Sequence, residues 1–248
     1  MKVNYSYVYL AFFLLLNIFN FVDRNLLIAF APQIKSEFNL TNVQWGLLTG
    51  VYFLFFYSVF GIFMGVLGDK FSRMKIAAAG VFLWSLMTAF TGVAKNFSHL
   101  IVARALIGVG ESALTPNAIS MLSDLFKQNQ RGTASAIYYL GIPLGVGFGM
   151  LIAAFFGPAY GWRSVFITLG LIGMGLGILT YFLLEPRRGQ LDISFDEDNK
   201  STSIRDIISM TKHALYNSKC LTFAIIGSIF LHIPLGAGNF EVLWAVNE

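Results

Sequence analysis

The sequence predicts an all-α membrane protein, a bundle of six transmembrane helices followed by a polar connector and a seventh helix. Three observations carry this. Of 248 residues, 56% are apolar, 16% aromatic and only 12% charged, too little polar surface to coat a soluble globule of that length. The apolar residues gather into seven runs, near 8–30, 45–67, 76–94, 100–122, 134–156, 164–184 and 221–244, each close to the ~20 residues that cross about 30 Å of hydrocarbon. Finally, with the amino terminus inside, Lys2, Lys70, Arg73, Lys75, Lys127, Arg131, Arg187, Arg188, Lys200, Arg205, Lys212 and Lys219 fall on the cytoplasmic side, whereas Lys35, Lys95 and Arg163 fall on the other. This positive-inside bias sets the orientation. It also accounts for the net charge of +4 as loops beside an anionic leaflet, with no nucleic-acid partner.

The first run has a small-x-small sequence at Ala29-Phe30-Ala31, the form of a signal-peptide cleavage site. Pro32 follows at once and Asp23 and Arg24 interrupt the region, so the run is read as a retained helix. On it Asn17, Asn20, Asp23 and Arg24 fall within an arc of about 120°, a polar stripe on a Phe- and Leu-rich surface. The fourth run repeats the arrangement: Arg104, Gly108, Glu111 and Thr115 recur at helical spacing as one stripe about 16 Å long. An Arg or Asp at the centre of a span costs about 2.5–3.5 kcal/mol on insertion scales. These side chains are therefore expected to face the bundle interior and share a polar cavity. Counted inward from the outer face, Arg104 lies about 6 Å deep, Asp23 about 10 Å and Glu111 about 16 Å. That pairs Asp23 with Arg104 and Arg24 with Glu111. Glu111 is deepest, and a carboxyl there can be neutralised by protonation, which makes it the expected proton carrier. Fixed ion pairs locking two helices together are the structural alternative.

The second and third runs are joined by the hydrophilic turn Gly65-Val66-Leu67-Gly68-Asp69-Lys70-Phe71-Ser72-Arg73-Met74-Lys75, in which Asp69 sits where a carboxylate can cap the next helix. The fifth run carries Gly141, Gly145 and Gly149, two small-xxx-small steps that permit close helix approach, and Pro143, which frees a carbonyl and bends the helix. That reads as a packing or hinge element. Residues 185–219 form a long polar connector with the acidic run Asp196-Glu197-Asp198. Its part Ser203–Met210 has helical apolar spacing suited to a membrane surface. His99 and His213 fall in loops, and His232 and Glu241 on the last run are weak site candidates. Cys220 is the single cysteine, which excludes a disulfide framework or cysteine metal cluster. The chain carries no nucleotide-binding Gly-Lys-Ser/Thr loop, His-Glu-x-x-His or hydrolase elbow. An enzyme is not expected, nor a cofactor or metal.

The turn resembles the loop between helices 2 and 3 of the major facilitator superfamily, whose Gly-x-x-x-Asp-Arg/Lys-x-Gly-Arg-Arg/Lys pattern is kept at Gly65, Asp69, Lys70 and Arg73 and departed from at Ser72 and Met74. Phe21–Leu27, Gly110–Pro116, Tyr139–Gly145 and Gly161-Trp162-Arg163 are similar to its spinster-type branch. The resemblance implies a truncated twelve-helix fold. Residues 1–184 would be the amino-terminal six-helix bundle, 185–219 the cytoplasmic linker, and 220–248 the seventh helix, opening an incomplete second half. It implies alternating access with proton linkage through the membrane carboxylates. The substrate would be an amphiphilic or organic anion drawn to Arg24 and Arg104, or else a sugar acid or other small organic anion. Gly65, Asp69, Lys70 and Arg73 would form a gating loop. Partners expected are the bilayer, the anionic substrate, the proton, and either the missing carboxy-terminal half or a second copy, since two halves must rock against each other. The competing reading is a truncated, non-transporting membrane protein that binds or assembles with a partner. A retinal protein is disfavoured, since the seventh run holds no lysine. The expected location is the cell (inner) membrane.

Overall fold

The first span folds as α1, Tyr5–Ala29, and buries Leu10, Phe13, Leu16, Asn17, Asn20, Val22, Asp23, Leu26 and Leu27, the three- and four-residue steps of one helix face. The computed structural model describes residues 5–191 and Phe223. A short helix α2, Ala31–Phe38, ends on Asn39 at φ 51, the left-handed conformation that asparagine tolerates at a helix end. Thr41 and Gln44 then form a reciprocal capping box at α3, Asn42–Gly46. Through a π-helical turn at Leu47–Val51 the chain passes into α4, Tyr52–Lys70.

The third span is α5, Arg73–Gly92. The turn before it contains only Phe71 and Ser72. Asp69 therefore stays in the last turn of α4, and the cap expected of it falls to Ser72, whose hydroxyl accepts from Lys75 N at 3.3 Å. Next come α6, Phe97–Glu111, and α7, Leu114–Leu125. Asn96 caps α6 by accepting from His99 N at 2.9 Å, so His99 lies inside the helix rather than in a loop. The break at Ser112 and Ala113 interrupts the polar stripe of the fourth run and hands Thr115 to α7.

The last described elements are α8, Gln128–Tyr139, and α9, Gly141–Phe182. Unbroken, the 42 residues of α9 would reach about 63 Å, twice the hydrocarbon thickness. Gly161 breaks it with φ 74 and ψ 157, a conformation open mainly to glycine. One arm completes the fifth span with α8 and the other is the sixth. The protein is thus an integral membrane protein with a bundle of about six apolar helices. The connector beyond residue 191, Cys220, His213, His232, Glu241 and all of the seventh run except Phe223 lie outside the described residues.

α9 packs along α5 and α1, while α6 lies between α4 and α5. Phe13, Leu16, Met74, Val81, Trp84, Met121 and Tyr138 form the core. α4 is peripheral and turns Leu54, Phe55, Ile62 and Phe63 outward. The glycine row of the fifth span meets α1: a Cβ at Gly141 would lie 2.7 Å from Asn17 Nδ2, and one at Gly145 would lie 2.5 Å from Ile18 O and 2.5 Å from Phe21 Cβ. At Gly149 it would reach Val22 O at 3.1 Å. Pro143 sits in the first turn of α9, just past the α8 boundary at Leu140, where its missing N–H is best tolerated. Gly145→Ala is expected to destabilise the bundle by about 1–3 kcal/mol through overpacking. Gly147, with no atom within 4 Å of its would-be Cβ, provides the control. Thermal unfolding in detergent of Gly145→Ala and Gly147→Ala checks the contrast, and equal midpoints would refute it.

Candidate functional site: a buried charge cluster and its two bundle ends

The four ionisable side chains placed inside apolar runs do converge. Arg24 on α1 pairs with Glu111 at the end of α6, Nε to Oε2 at 2.5 Å. The Glu111 side chain is fully buried, whereas that of Arg24 keeps 21% of its surface, so Arg24 is the more exposed member of the pair. Phe21, Phe53 and Tyr57 surround it, with ring centroids 4.9, 4.8 and 4.7 Å from its central carbon. Such a cage stabilises a cation away from water. Arg104, 4% exposed, stands 5.0 Å over the Phe53 ring. Gly108 makes room for this approach, since a Cβ there would lie 2.7 Å from Phe53 O.

The expected partnership of Asp23 with Arg104 does not form. Asp23 Oδ2 instead accepts a hydrogen bond from Thr88 Oγ1 on α5. Oδ1 of Asp23, Nε of Arg104, Oε1 of Glu111 and Nδ2 of Asn20 are buried without a partner. Asn20 lies beside Glu111 without completing a bond to it. Two carboxylates thus face two guanidiniums, formally neutral, but several of their bonding positions are open. Open buried polar positions are uncommon. Asn17 and Thr115 both meet Tyr138: Asn17 Nδ2 donates to Tyr138 O at 2.8 Å, and Thr115 Oγ1 lies 3.1 Å from Tyr138 Oη.

At the end of the bundle holding the α4–α5 turn, Arg73 is the centre. It bonds Asp124 Oδ2 at 2.5 Å, Ser120 Oγ at 2.9 Å, Glu185 Oε1 at 3.0 Å and Pro186 O at 3.2 Å. Arg188 donates to the carbonyls of Gly68, Asp69 and Phe71, covering the carboxyl end of α4 where cations are favoured. Gly189 N donates to Asp124 Oδ1 at 2.9 Å, so residues at the start of the polar connector are tied to the bundle. Burial raises the Glu185 carboxyl, but hydrogen bonds from Ser72 and Arg73 outweigh it and hold the group below its ordinary range. Within the turn Asp69 and Lys70 are exposed, and Gly65 borders open space. The close approach occurs at Gly68, where a Cβ would meet Asn117 Oδ1 at 2.3 Å.

The opposite end is closed by Glu37 on α2. Its carboxylate accepts from Trp162 Nε1 at 2.8 Å and from Arg163 Nη2 at 2.6 Å. Arg163 also caps α5 through Gly92 O and Ala94 O, at 3.0 and 2.7 Å. The hydrogen bonds from Arg163 hold the Glu37 carboxyl below its ordinary value. A carboxyl lowered by folding stabilises the fold above its unfolded pKa, and that contribution fades as pH falls through the folded value. Acidification below about pH 4 is therefore expected to lower the unfolding temperature of the parent protein more than that of Glu37→Gln. Parallel acid-dependent melting curves would contradict this.

A family model described as the Major Facilitator Superfamily matches residues 13–243. The chain belongs to that superfamily. Within it the similarity lies with spinster-type members. A sphingosine-1-phosphate transporter of Danio rerio is 30% identical over 88% of this chain and 45% of its own length. Protein spinster of Drosophila melanogaster is 31% identical over 79% of this chain and 32% of its own. A bacterial homolog of the human lysosomal transporter spinster, in an inward-facing and occupied conformation, superposes with a TM-score of 0.67 at 31% identity, covering 77% of this chain and 47% of that one. Its inward-facing, unoccupied form gives 0.70 at 27% identity. The chain thus spans about half or less of the length of these relatives. Superfamily members are transporters, not enzymes.

Sequence reasoning overlooked Thr88, Asp124, Gly68 and Glu37. Thr88 is one of three hydroxyl side chains in its apolar run, with Ser85 and Thr91, and Asp124 and Glu37 lie beside span ends, where a carboxylate carries little cost. Gly68 alone carried a usable signal, as the second glycine of the turn.

Proposed function

We propose that this chain is the amino-terminal half, with the first helix of the second half, of a proton-coupled secondary transporter that works by alternating access and moves an amphiphilic or organic anion. The observation that carries the reading is the Arg24–Glu111 pair, in which the buried carboxylate holds a partly exposed guanidinium inside an aromatic cage. An anionic headgroup competes with Glu111 for Arg24. Protonation of Glu111 removes its charge and weakens its hold on the guanidinium, so proton and substrate are linked through one bond. Phe21, Phe53 and Tyr57 suit an apolar portion of the substrate next to the charge. A relative named as a sphingosine-1-phosphate transporter favours an amphiphile.

In this reading the amino terminus is cytoplasmic, the membrane is the cell (inner) membrane, and the turn with Gly65, Asp69, Lys70 and Arg73 gates the cytoplasmic side. A carboxy-terminal half or a second copy completes the cavity. The outward apolar face of α4 is available to either. Flux into proteoliposomes of the completed carrier under an imposed pH gradient tests the proposal. Competition by lysolipids of differing headgroup supports the amphiphile, and competition by short polar anions alone points to a sugar acid. Absence of flux with both overturns transport in favour of a binding or assembly role.

A further inference from the structure

Asp23, 3% exposed, receives its hydrogen bond from Thr88 Oγ1, and the same hydroxyl lies 2.9 Å from the carbonyl oxygen of Trp84. A hydroxyl has one proton to donate and lone pairs with which to accept, whereas a carbonyl oxygen only accepts. Thr88 therefore serves one of its two neighbours at a time. With Asp23 ionised, the Thr88 proton points at the carboxylate. With Asp23 protonated on Oδ2, the carboxyl O–H donates to Thr88 Oγ1, and the Thr88 proton rotates to the Trp84 carbonyl. No heavy atom has to move between these arrangements, and the bond between Asp23 and Thr88 survives in both. The proton that arrives stays on Asp23, so the Thr88 hydroxyl ends each exchange with the proton it began with.

Glu111 has no such freedom. Its partner is a guanidinium, which only donates, so a protonated Glu111 keeps only a neutral acceptor oxygen towards Arg24 and the pair loses its charge assistance. The charged groups acting on Asp23 are Arg24 beside it on α1 and Arg104 and Glu111 from α6. Gly141, Gly145 and Gly149 of α9 lie against α1 and carry nothing ionisable.

We propose that Thr88 is a positioning residue that allows Asp23 to hold or release a proton without rearrangement of the buried cluster, while protonation of Glu111 weakens its pair with Arg24. The role of this pair in a transport cycle rests on the proton-coupled reading above; the hydrogen-bond exchange itself does not.

Infrared titration of the chain in lipid nanodiscs reads it directly, with the Asp23 carboxyl band assigned by its disappearance in Asp23→Asn. In the unmodified chain the protonated band is expected at the frequency of a hydrogen-bonded carboxyl, and a free-carboxyl frequency overturns the proposal without any variant. Thr88→Val, nearly isosteric, is expected to raise the pH of half-protonation by about one unit, because the ionised form loses a charge-assisted bond. It should also move the C=O stretch to higher frequency. Thr88→Ser is expected to restore both. An unchanged titration in Thr88→Val, or a Ser variant that behaves like Val, overturns the assignment. Failure of the transport reading appears differently, as absent proton-driven uptake with the infrared pattern intact.

Discussion

Glu111→Gln is expected to abolish proton-driven accumulation by the completed carrier while leaving the bundle folded. The substitution keeps side-chain length and an acceptor oxygen for Arg24, now at 2.5 Å from a carboxylate. What it removes is the negative charge and the ability to take a proton. Replacing a charge-assisted bond by a neutral one costs on the order of 1 kcal/mol, too little to unfold a bundle that also buries Trp84, Tyr138 and the glycine contacts of α9 on α1. Removing the protonatable partner of Arg24 uncouples the gradient altogether, so the ratio of internal to external substrate should fall to about one. Exchange of labelled substrate at equal pH should continue. Accumulation in Glu111→Gln equal to the parent would sink Glu111 as the coupling carboxyl, and loss of exchange as well would show that the variant damages binding rather than coupling.

Why Arg24 and Glu111 were legible in the sequence, while the partner of Asp23 was not, follows from what each residue costs. A charge inside an apolar run is expensive enough that its presence demands an interior position and a partner. Helical rise then placed Arg24 and Glu111 near each other across two helices, as they are. The same count put Asp23 beside Arg104. It missed Thr88 because a threonine costs little in a span and commonly satisfies itself on the carbonyl four residues back, as Thr88 also does with Trp84. Periodicity carried the fourth run past its own break: Arg104 and Glu111 share α6, but the interruption at Ser112 puts Thr115 on α7, against Tyr138. The spacing of Gly141, Gly145 and Gly149 needs only a straight helix to predict close contact, and their packing against α1 follows it. Gly161 announces no such rule. The break in α9 depends on one backbone conformation, although the gap between the fifth and sixth apolar runs marks the place.

Asp124→Ala is expected to remove about 3–5 kcal/mol of stability, the usual cost of leaving a buried charge without its partner. Arg73 keeps only 5% of its side-chain surface, so water cannot replace the lost carboxylate. Glu185, at 3.0 Å and with 22% of its side chain exposed, remains but cannot fill the direction vacated by the 2.5 Å bond. The loss has a second part, because Asp124 Oδ1 also receives Gly189 N and that contact holds the connector against the bundle. The two parts separate in a cycle with Arg73→Leu. Removing the under-compensated cation should return part of the stability lost in Asp124→Ala, because Arg73 no longer has to be desolvated, while Glu185, left without Arg73, keeps 22% of its side chain exposed to water. What stays missing measures the docking of the connector through Gly189. Unfolding in mixed micelles supplies the comparison, with exposed Lys70→Ala as a variant expected to change stability by less than about 0.5 kcal/mol. If Asp124→Ala were as mild as Lys70→Ala, Arg73 would not depend on Asp124. If Arg73→Leu failed to rescue it, connector docking, rather than an uncompensated charge, would be the dominant contribution of Asp124.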